Sequence, residues 1–413
     1  MNTADSNSTG TAGPLPQRLR YSQAQLADWP LPGQLAQEHS LRLIERIHEK
    51  INAAGGSISF HDYMQACLYE PGLGYYSAGA SKFGAEGDFI TAPEISPLFA
   101  GCLARSLAPV LQQDNGQVVL EAGAGSGILA ARLLTHWQEL DCLPLHYYIL
   151  ELSADLRARQ RQQLAEHCPQ QLERVIWLDE WPNNFEGVVL ANELLDAMPV
   201  HRVHKRNGLW HEQRVTVEQE QFVFQERELQ DSALRQRLEA IEQDQSLPDD
   251  YLTEVNLNAE QWIKTLGEHL HQGVVLLLDY GYPRHEFYHP QRDRGTLMCH
   301  YRHRAHDDTF VYPGLQDITA HIDFTAVADA AQQSGFEVAG YTTQAHYLLD
   351  NGLMQQLEQF QDLDESQYQH YVSEVRRLTL PQEMGESFKV MLLNMNSKQL
   401  PAGFAGRDLR HQL

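Results

Sequence analysis

The chain has 413 residues, of which 42% are hydrophobic, so it can bury a large core in two or three domains or in one domain with long insertions. Its formal net charge of −24 and its pI of about 5.2 argue against a nucleic-acid partner, because phosphate recognition requires clustered lysine and arginine. An acidic balance is common among cytosolic proteins, and it would also attract a cationic substrate.

Cysteine and histidine usage argues against disulfides and metals. The five cysteines lie far apart, form no CxxC pair and are odd in number, as in proteins of a reducing compartment. The densest histidine cluster, Cys299 to His306, lacks the spacing of helical metal ligands, and its arginines would repel a cation. We therefore expect no metal site. Since no apolar run is long enough to cross a bilayer, we also expect no membrane insertion.

Residues 1–40 are predicted to form a disordered tail. The first 20 are rich in Ser, Thr, Gly and Pro and show neither a signal-peptide nor a transit-peptide pattern, so we expect a cytoplasmic protein. Residues 41–116 are predicted to form an N-terminal helical segment with a cofactor-covering loop. Its helices are expected over 41–56, within 58–77 and from about Ser96 onward.

A regular alternation of strands and helices begins at Gln117 and predicts an α/β sheet. Strands are expected at 117–122, 145–151, 174–178 and 187–193, with helices after the first two, the second of them capped by Ser153. A fifth strand at 273–281 follows only after about eighty residues, which is too long for a simple connection. The gap contains a β-like stretch at 204–224 and a charged helix at 233–245, so residues 204–272 are predicted to be an insertion.

The remaining elements complete the predicted fold. A helix is expected at 323–335, and further strands at 336–343 and 388–395. The alternation of strands and helices therefore predicts a Rossmann-like, doubly wound α/β sheet formed by residues 117–203 and 273–400. Such a sheet binds its ligand at the carboxyl ends of its strands.

The first strand ends in a glycine-rich turn, "EAGAGSGILAARLL", which narrows the choice of cofactor. Gly127 is followed by Ile128 and Leu129 rather than by the Lys-Ser or Lys-Thr of a nucleotide P-loop. The turn glycines Gly123, Gly125 and Gly127 are spaced GxGxG, whereas the dinucleotide fingerprint is GxGxxG. Nucleotide kinases and GTPases are thereby excluded, and an NAD-dependent oxidoreductase is disfavoured.

Acidic residues at the strand ends favour S-adenosyl-L-methionine as the ligand. Glu121 would repel a pyrophosphate but attract an ammonium or a sulfonium group, and this cofactor carries both cations. Glu151, at the end of the second strand, is placed to accept hydrogen bonds from the ribose hydroxyls. Asp179, after the third strand, could accept the adenine amino group. The alternative is that Glu151 and Asp179 are ordinary helix-capping or surface acids.

Several longer motifs resemble the MidA-like family of class I S-adenosylmethionine-dependent methyltransferases, which includes the mitochondrial complex I assembly methyltransferase. The matching stretches are "EPGLGYYS", "FGAEGDFITAPEIS", "LEAGAGSG", "ANELLDAMPVHRV", "LLLDYGYP" and "DITAHIDF". The resemblance implies a class I methyltransferase fold with family-specific additions and protein arginine methylation in the mitochondrial member. Because the tail lacks a mitochondrial address, we expect a bacterial relative whose substrate can differ.

The resemblance also implies residues near the cofactor. It suggests that "GDFITAPEIS" folds over the cofactor, with Gly87, Asp88 and Thr91 near the methionine end. Asn192 is also predicted to bind the cofactor. A purely structural loop is the alternative for this segment.

The acceptor is expected at "NELLDAMPV", after the fourth strand. Two carboxylates could hold a guanidinium group side-on and orient one nitrogen, and Glu193 and Asp196 would share a cavity if a helical turn began there. Alternatively they cap a helix or pair with Arg202. His321 could orient the acceptor or act as a base, or could be structural. Asp279 could line the cleft or cap a loop.

The sequence therefore predicts a methyltransferase that methylates a protein side chain, with arginine favoured. A small-molecule methyltransferase and a cofactor-binding assembly factor that acts through partner binding are the alternatives. The oligomeric state is left open.

Overall fold

The computed structural model describes residues 29–78, 91–112 and 118–413. These residues divide into two compact units, each continuous in space but not in sequence. The first unit consists of the described residues within Met1–Asp88, Arg214–Gln225 and Met298–Ile318, and the second of those within Phe89–Gln213, Glu226–Leu297 and Thr319–Leu413.

The secondary structure alternates strands and helices through most of the second unit. The helices are α1 Gln34–Ala53, α2 Phe60–Tyr69, α3 Ala92–Ile95, α4 Pro97–Leu111, α5 Ile128–Glu139, α6 Ala154–His167, α7 Ser232–Asp244, α8 Leu257–His269, α9 Arg284–Phe287, α10 Phe324–Gln333, α11 Gln344–Asp350, α12 Leu353–Glu358 and α13 Glu365–Thr379. The strands are β1 Ile58–Ser59, β2 Val118–Ala122, β3 His146–Leu150, β4 Val175–Leu178, β5 Phe185–Asn192, β6 His201–Arg206, β7 Leu209–Glu218, β8 Gln221–Glu228, β9 Tyr251–Val255, β10 Leu270–Tyr282, β11 Met298–Tyr301, β12 Arg304–His306, β13 Asp317–Thr319, β14 Ile322–Asp323, β15 Glu337–Thr343 and β16 Phe388–Met395.

The second unit is built on one large sheet with the strand order β15-β16-β10-β5-β2-β3-β4, and β14 adds to β10. Strands β2, β3, β4, β5 and β10 are parallel, whereas β16 runs antiparallel between β10 and β15. This arrangement confirms the predicted Rossmann-like sheet. The chain reverses its direction of winding between β2 and β5, so a ligand crevice is expected at the carboxyl ends of these strands.

Apolar clusters cover both faces of this sheet. On one face, α4 and α5 contribute fully buried side chains such as Phe99 and Trp137. On the other, α8 and α10 contribute Ile263 and Phe324. Burial on both faces explains why Val274 to Leu278 is a continuous apolar run rather than an alternating one.

Helix α1 begins at Gln34, so the predicted tail is wrong for residues 34–40 and the predicted helix start at residue 41 is too late. The residues before Leu41 lack the apolar spacing that reveals a helix. They are ordered by the tertiary structure of the first unit, where Ser40 donates to the carbonyl of Pro313 at 2.9 Å and His39 lies 2.8 Å from the carbonyl of Leu73.

The expected insertion contains the β-like stretch and the helix that its sequence predicted. In the second unit β6 pairs antiparallel with β7 and β9, and α7 packs there through Leu234, Leu238 and Ile241. In the first unit β1 pairs with the carboxyl-terminal part of β7. Helix α8 lies within 204–272 but packs with α10 against the large sheet. Within the described residues, no helix has the length and apolar character needed to cross a bilayer.

Candidate functional site

The glycine turn after β2 has a backbone that only glycine adopts easily. Gly123, Gly125 and Gly127 have φ values of +70°, +52° and +84°. A Cβ at Gly123 would lie 2.8 Å from Leu194 Cδ1, and one at Gly127 would lie 3.0 Å from the Cα of Gln160. A Cβ at Gly125 would meet no described atom within 4 Å. The two outer glycines therefore permit close packing, while the backbone at Gly125 faces open space in which a ligand could approach it.

Glu121 lies in the core beneath this turn. Only 2% of the residue is exposed, and one of its carboxylate oxygens accepts a hydrogen bond from the Tyr147 hydroxyl at 2.9 Å. Burial raises its pKa to about 7, and the Tyr147 hydrogen bond opposes this only in part. The side chain is therefore poised between its neutral and ionised forms at physiological pH.

Glu151 and Asp179 occupy contrasting environments at the neighbouring strand ends. Glu151 accepts the Ser153 backbone N–H at 2.9 Å on Oε1 and the Gln160 side chain at 3.3 Å on Oε2, and burial raises its pKa. The side chain of Asp179 is 86% exposed and forms a 2.7 Å salt bridge with Arg157. Glu151 is thus held in a defined orientation by neutral donors, which leaves it free to accept further hydrogen bonds.

Gln160, which no sequence pattern indicates, joins the glycine turn to Glu151. Its side chain is fully buried and bonds to the Gly125 carbonyl, to Glu151 and to the Trp177 indole. In the sequence it is one of several glutamines in a strongly polar helix, so no local signal distinguishes it.

The segment implied by the resemblance to cover the cofactor is described only from Thr91 onward. Gly87 and Asp88 lie outside the described residues. Thr91 caps α3, whose Glu94 accepts a 3.1 Å hydrogen bond from the Ser126 hydroxyl of the glycine turn. The beginning of α3 is therefore tied directly to the turn.

Glu193 follows β5 in a strained loop, and not in the helical turn that was expected to bring it into one cavity with Asp196. Its φ is +50°, and its N–H donates to the carbonyl of Leu278 at 2.8 Å. Oε1 accepts the Ala92 N–H at 3.4 Å and the Asn192 side-chain amide at 3.1 Å. Oε2 is shielded from solvent and has no hydrogen-bond partner among the described residues. Asn192 thus contacts the carboxylate expected to bind the acceptor.

Asp196 and Asp279 add two buried carboxylates beside Glu193. They are 3% and 1% exposed. Asp279 accepts the N–H groups of Leu195 and Asp196 on Oδ2, at 2.9 and 3.2 Å, so it does cap the loop. Asp196 Oδ1 is buried and has no hydrogen-bond partner in the described part of the chain. Burial raises the pKa of all three carboxyl groups, and their mutual repulsion raises the pKa values of Glu193 and Asp279 further.

His321 lies beside this carboxylate cluster. Its Nδ1 lies 3.3 Å from the carbonyl oxygen of Thr296, and its ring meets the edge of Tyr280 and stacks on Tyr282. Tyr280 in turn hydrogen-bonds to Asp196. Burial lowers the pKa of His321 to about 4, so the imidazole is neutral at pH 7. His321 therefore contacts the cluster through Tyr280.

Arg202 is the arginine that the sequence offered as an alternative partner of Glu193 and Asp196. Arg202 lies opposite Glu254 across β6 and β9, and its attraction opposes the rise in the pKa of that carboxylate. Among the residues that the structure describes, no group of three or more His, Cys, Asp and Glu side chains could hold a metal ion.

Comparison with known proteins identifies the family. A family described as "Putative S-adenosyl-L-methionine-dependent methyltransferase" matches residues 102–342, more than half of the chain. The chain belongs to this methyltransferase family. Its cofactor is S-adenosylmethionine, as the glycine spacing and the strand-end acids predicted.

Solved structures support the same assignment for this methyltransferase. A crystal structure from Burkholderia thailandensis, bound to S-adenosyl-homocysteine, is 43% identical, with a TM-score of 0.88 over 93% of this chain and 100% of that one. A second structure from the same organism, solved in the native form, is 42% identical with a TM-score of 0.86. The fold is therefore that of a class I methyltransferase.

Curated relatives include the protein arginine methyltransferase NDUFAF7 of Mus musculus, which is 28% identical over 85% of this chain and 84% of its own length. The Drosophila melanogaster homologue is 27% identical over the same shares. Both are named mitochondrial, so the cytoplasmic location expected for this chain is wrong as a prediction. It depended on a missing address pattern, and such an absence does not specify a compartment.

Proposed function

We propose that this methyltransferase transfers its methyl group to a guanidinium nitrogen of an arginine side chain in a protein. The observation that carries the proposal is a pair of buried carboxylate oxygens, Glu193 Oε2 and Asp196 Oδ1, that have no hydrogen-bond partner among the described residues. A buried and unpaired carboxylate is costly, so such a site favours either a proton or a cationic ligand. A guanidinium group matches it because it is planar and offers five N–H donors.

The carboxylates have two tasks in this reaction. Glu193 and Asp196 accept N–H bonds from the guanidinium group, which holds one nitrogen in line with the methyl group and draws positive charge toward the other nitrogens. The bound cofactor supplies an electrophilic methyl group on a sulfonium sulfur. As the nitrogen forms its bond to the methyl carbon, the carbon–sulfur bond breaks, and the methylated nitrogen loses a proton. The raised pKa values of the cluster favour a carboxylate as the acceptor of that proton.

The cofactor is proposed to lie over the glycine turn. The open space at Gly125 accommodates it, and Glu151 is proposed to accept hydrogen bonds from its ribose hydroxyls. Glu121 supplies negative charge beneath the methionine end, with Thr91 and Asn192 nearby, while Asp179 is proposed for the adenine amino group. The other proposed cofactor residues are Gly87, Asp88, Gly123 and Gly127.

Two further points support a protein substrate. The curated relatives in Mus musculus and Drosophila melanogaster bear the name protein arginine methyltransferase and align over most of both chains. The net charge of −24 would attract a cationic segment of a partner.

Transfer of radiolabelled methyl groups tests the proposal. The purified protein is incubated with labelled S-adenosylmethionine and a cell lysate, which is then separated into protein and small-molecule fractions. We expect label in protein, recovered as methylarginine after acid hydrolysis. Label confined to small molecules would instead indicate a small-molecule methyltransferase. Cofactor binding without transfer to any fraction would favour the assembly factor.

A further inference from the structure

Gln160 lies where the carboxyl ends of three parallel strands meet. It projects from α6 and is completely buried. Its Nε2 donates to the carbonyl of Gly125 at 3.1 Å and to Glu151 Oε2 at 3.3 Å, and its Oε1 accepts the Trp177 indole N–H at 2.9 Å. A glutamine amide offers two N–H donors, so both are used here. One side chain thus connects the turn after β2, the end of β3 and strand β4.

The packing around Gln160 is as specific as its hydrogen bonding. A Cβ at Gly127 would lie 3.0 Å from the Cα of Gln160 and 3.2 Å from its Cβ and Cγ. Helix α6 therefore lies so close to the turn that a side chain at Gly127 would not fit. The Gln160 amide also bonds to the Gly125 carbonyl, so the distance between the Gly125 backbone and α6 is fixed.

Glu151 depends on the same amide for its orientation. Ser153 holds one carboxylate oxygen through its N–H, and Gln160 holds the other. The charge of Arg157 also favours the ionised form of Glu151, although burial has the larger effect and raises the pKa of Glu151. The neutral Gln160 amide orients the Glu151 carboxylate without neutralising its charge, so the remaining lone pairs of Glu151 can accept hydrogen bonds from hydroxyl groups.

We propose that Gln160 is a positioning residue for S-adenosylmethionine, which aligns the Gly125 backbone and the Glu151 carboxylate for the same ligand. The inference rests on the cofactor site proposed above. Gln160 does not itself touch the cofactor in this proposal. It acts by fixing the distance and orientation between two groups that do.

Calorimetry with S-adenosyl-homocysteine tests this role in the full chain. Gln160→Met preserves the length of the side chain and removes all three hydrogen bonds, and we expect its Kd to rise about tenfold or more. Gln162→Met is the matched control, because Gln162 lies in the same helix and, among the described residues, bonds only to the exposed Glu166. Its Kd should stay within about twofold of the wild type.

Gln160→Glu adds a readout that a merely structural role would not move. Its carboxylate can still accept the Trp177 N–H, but its second oxygen faces the Gly125 carbonyl and Glu151. Ionised, it repels Glu151; protonated, it can donate to Glu151 again. We therefore expect the variant to lose affinity for S-adenosyl-homocysteine at pH 8 and to regain part of it toward pH 6. The change should exceed any pH dependence of the wild-type affinity, and the nearby Arg157 is present in both proteins, so it does not account for the difference.

A double-mutant cycle with Glu151→Ala separates the two proposals. If the residues act together, Gln160→Met should cost much less affinity in the Glu151→Ala background than alone. If Glu151→Ala leaves the Kd unchanged, the placement of Glu151 fails. If Glu151→Ala weakens binding but both Gln160 variants bind normally at pH 6 and pH 8, only the role of Gln160 is overturned. Should Gln160→Met fail to fold, Gln160→Glu and Trp177→Phe decide, and normal affinity in both would overturn the role.

Discussion

Replacing Glu193 by glutamine is the sharpest test of the acceptor site. The amide oxygen can still accept from the Ala92 N–H and the Asn192 side chain, as Oε1 does in the native protein. The amide nitrogen then occupies the buried and unpaired position of Oε2. A guanidinium N–H would meet another N–H there instead of a negative oxygen, so both attraction and orientation are lost.

Glu193→Gln should slow methyl transfer strongly, but it should not destabilise the fold. Loss of one preorganised electrostatic contact costs about 3 kcal/mol of transition-state stabilisation, which is roughly a hundredfold in kcat/KM. The pKa of Glu193 lies well above its usual value in the folded protein, so its ionised form destabilises the fold as pH rises. Glu193→Gln should therefore be at least as stable as the wild type at pH 8.

Three measurements on one preparation distinguish acceptor binding from a structural role. We expect unchanged affinity for S-adenosyl-homocysteine, an equal or higher melting temperature at pH 8 and at least a hundredfold slower methyl transfer. Glu374→Gln is the control, since Glu374 also has a buried oxygen without a hydrogen-bond partner among the described residues, but it lies in α13. It should transfer methyl groups normally. A folded Glu193→Gln protein with normal transfer, or one that is less stable but fully active, would refute the acceptor role.

Further variants test the remaining parts of the site. Gly125→Val should abolish binding of S-adenosyl-homocysteine in a protein with normal circular dichroism, because the side chain enters the open space of the turn at a φ of +52°; near-normal affinity would contradict this. Glu151→Ala should weaken that binding by about 2 kcal/mol, and a thermal shift with NAD but none with S-adenosyl-homocysteine would oppose the site. Asp196→Asn should slow transfer, though less than Glu193→Gln, without changing cofactor affinity; an unaltered rate would remove Asp196 from the acceptor site. Glu121 has a folded pKa of about 7 against 4.5 unfolded, so its stabilisation is complete below about pH 4.5 and lost as pH rises through 7. The unfolding free energy of Glu121→Gln relative to the wild type should then be roughly 3 kcal/mol higher at pH 8 than at pH 4.5 in urea titrations of the ligand-free proteins, and an equal difference at both pH values would refute the linkage.

Local sequence patterns were sufficient for most of the class I sheet. The predicted strand at 388–395 coincides with β16, and Ser153 caps α6 through its hydroxyl as expected. Buried parallel strands require continuous apolar runs, and helix caps require particular side chains, so both leave marks over a few neighbouring residues. The glycine spacing, together with the acids at the strand ends, similarly predicted the cofactor class, because a tight turn of left-handed residues selects glycine position by position.

The tertiary structure alone decided how the site residues are held. Asp279 fixes the loop of Glu193 and Asp196 by accepting N–H bonds from residues 83 and 84 positions earlier in the chain. Gln160 joins three strand ends, although nothing in its own helix marks it among neighbouring glutamines. The placement of Glu121 in the core and of Asp179 on the surface depends likewise on which elements pack around them. Burial and long-range hydrogen bonding are properties of the assembled sheet, so a local pattern can locate an acidic residue at a strand end without revealing its environment.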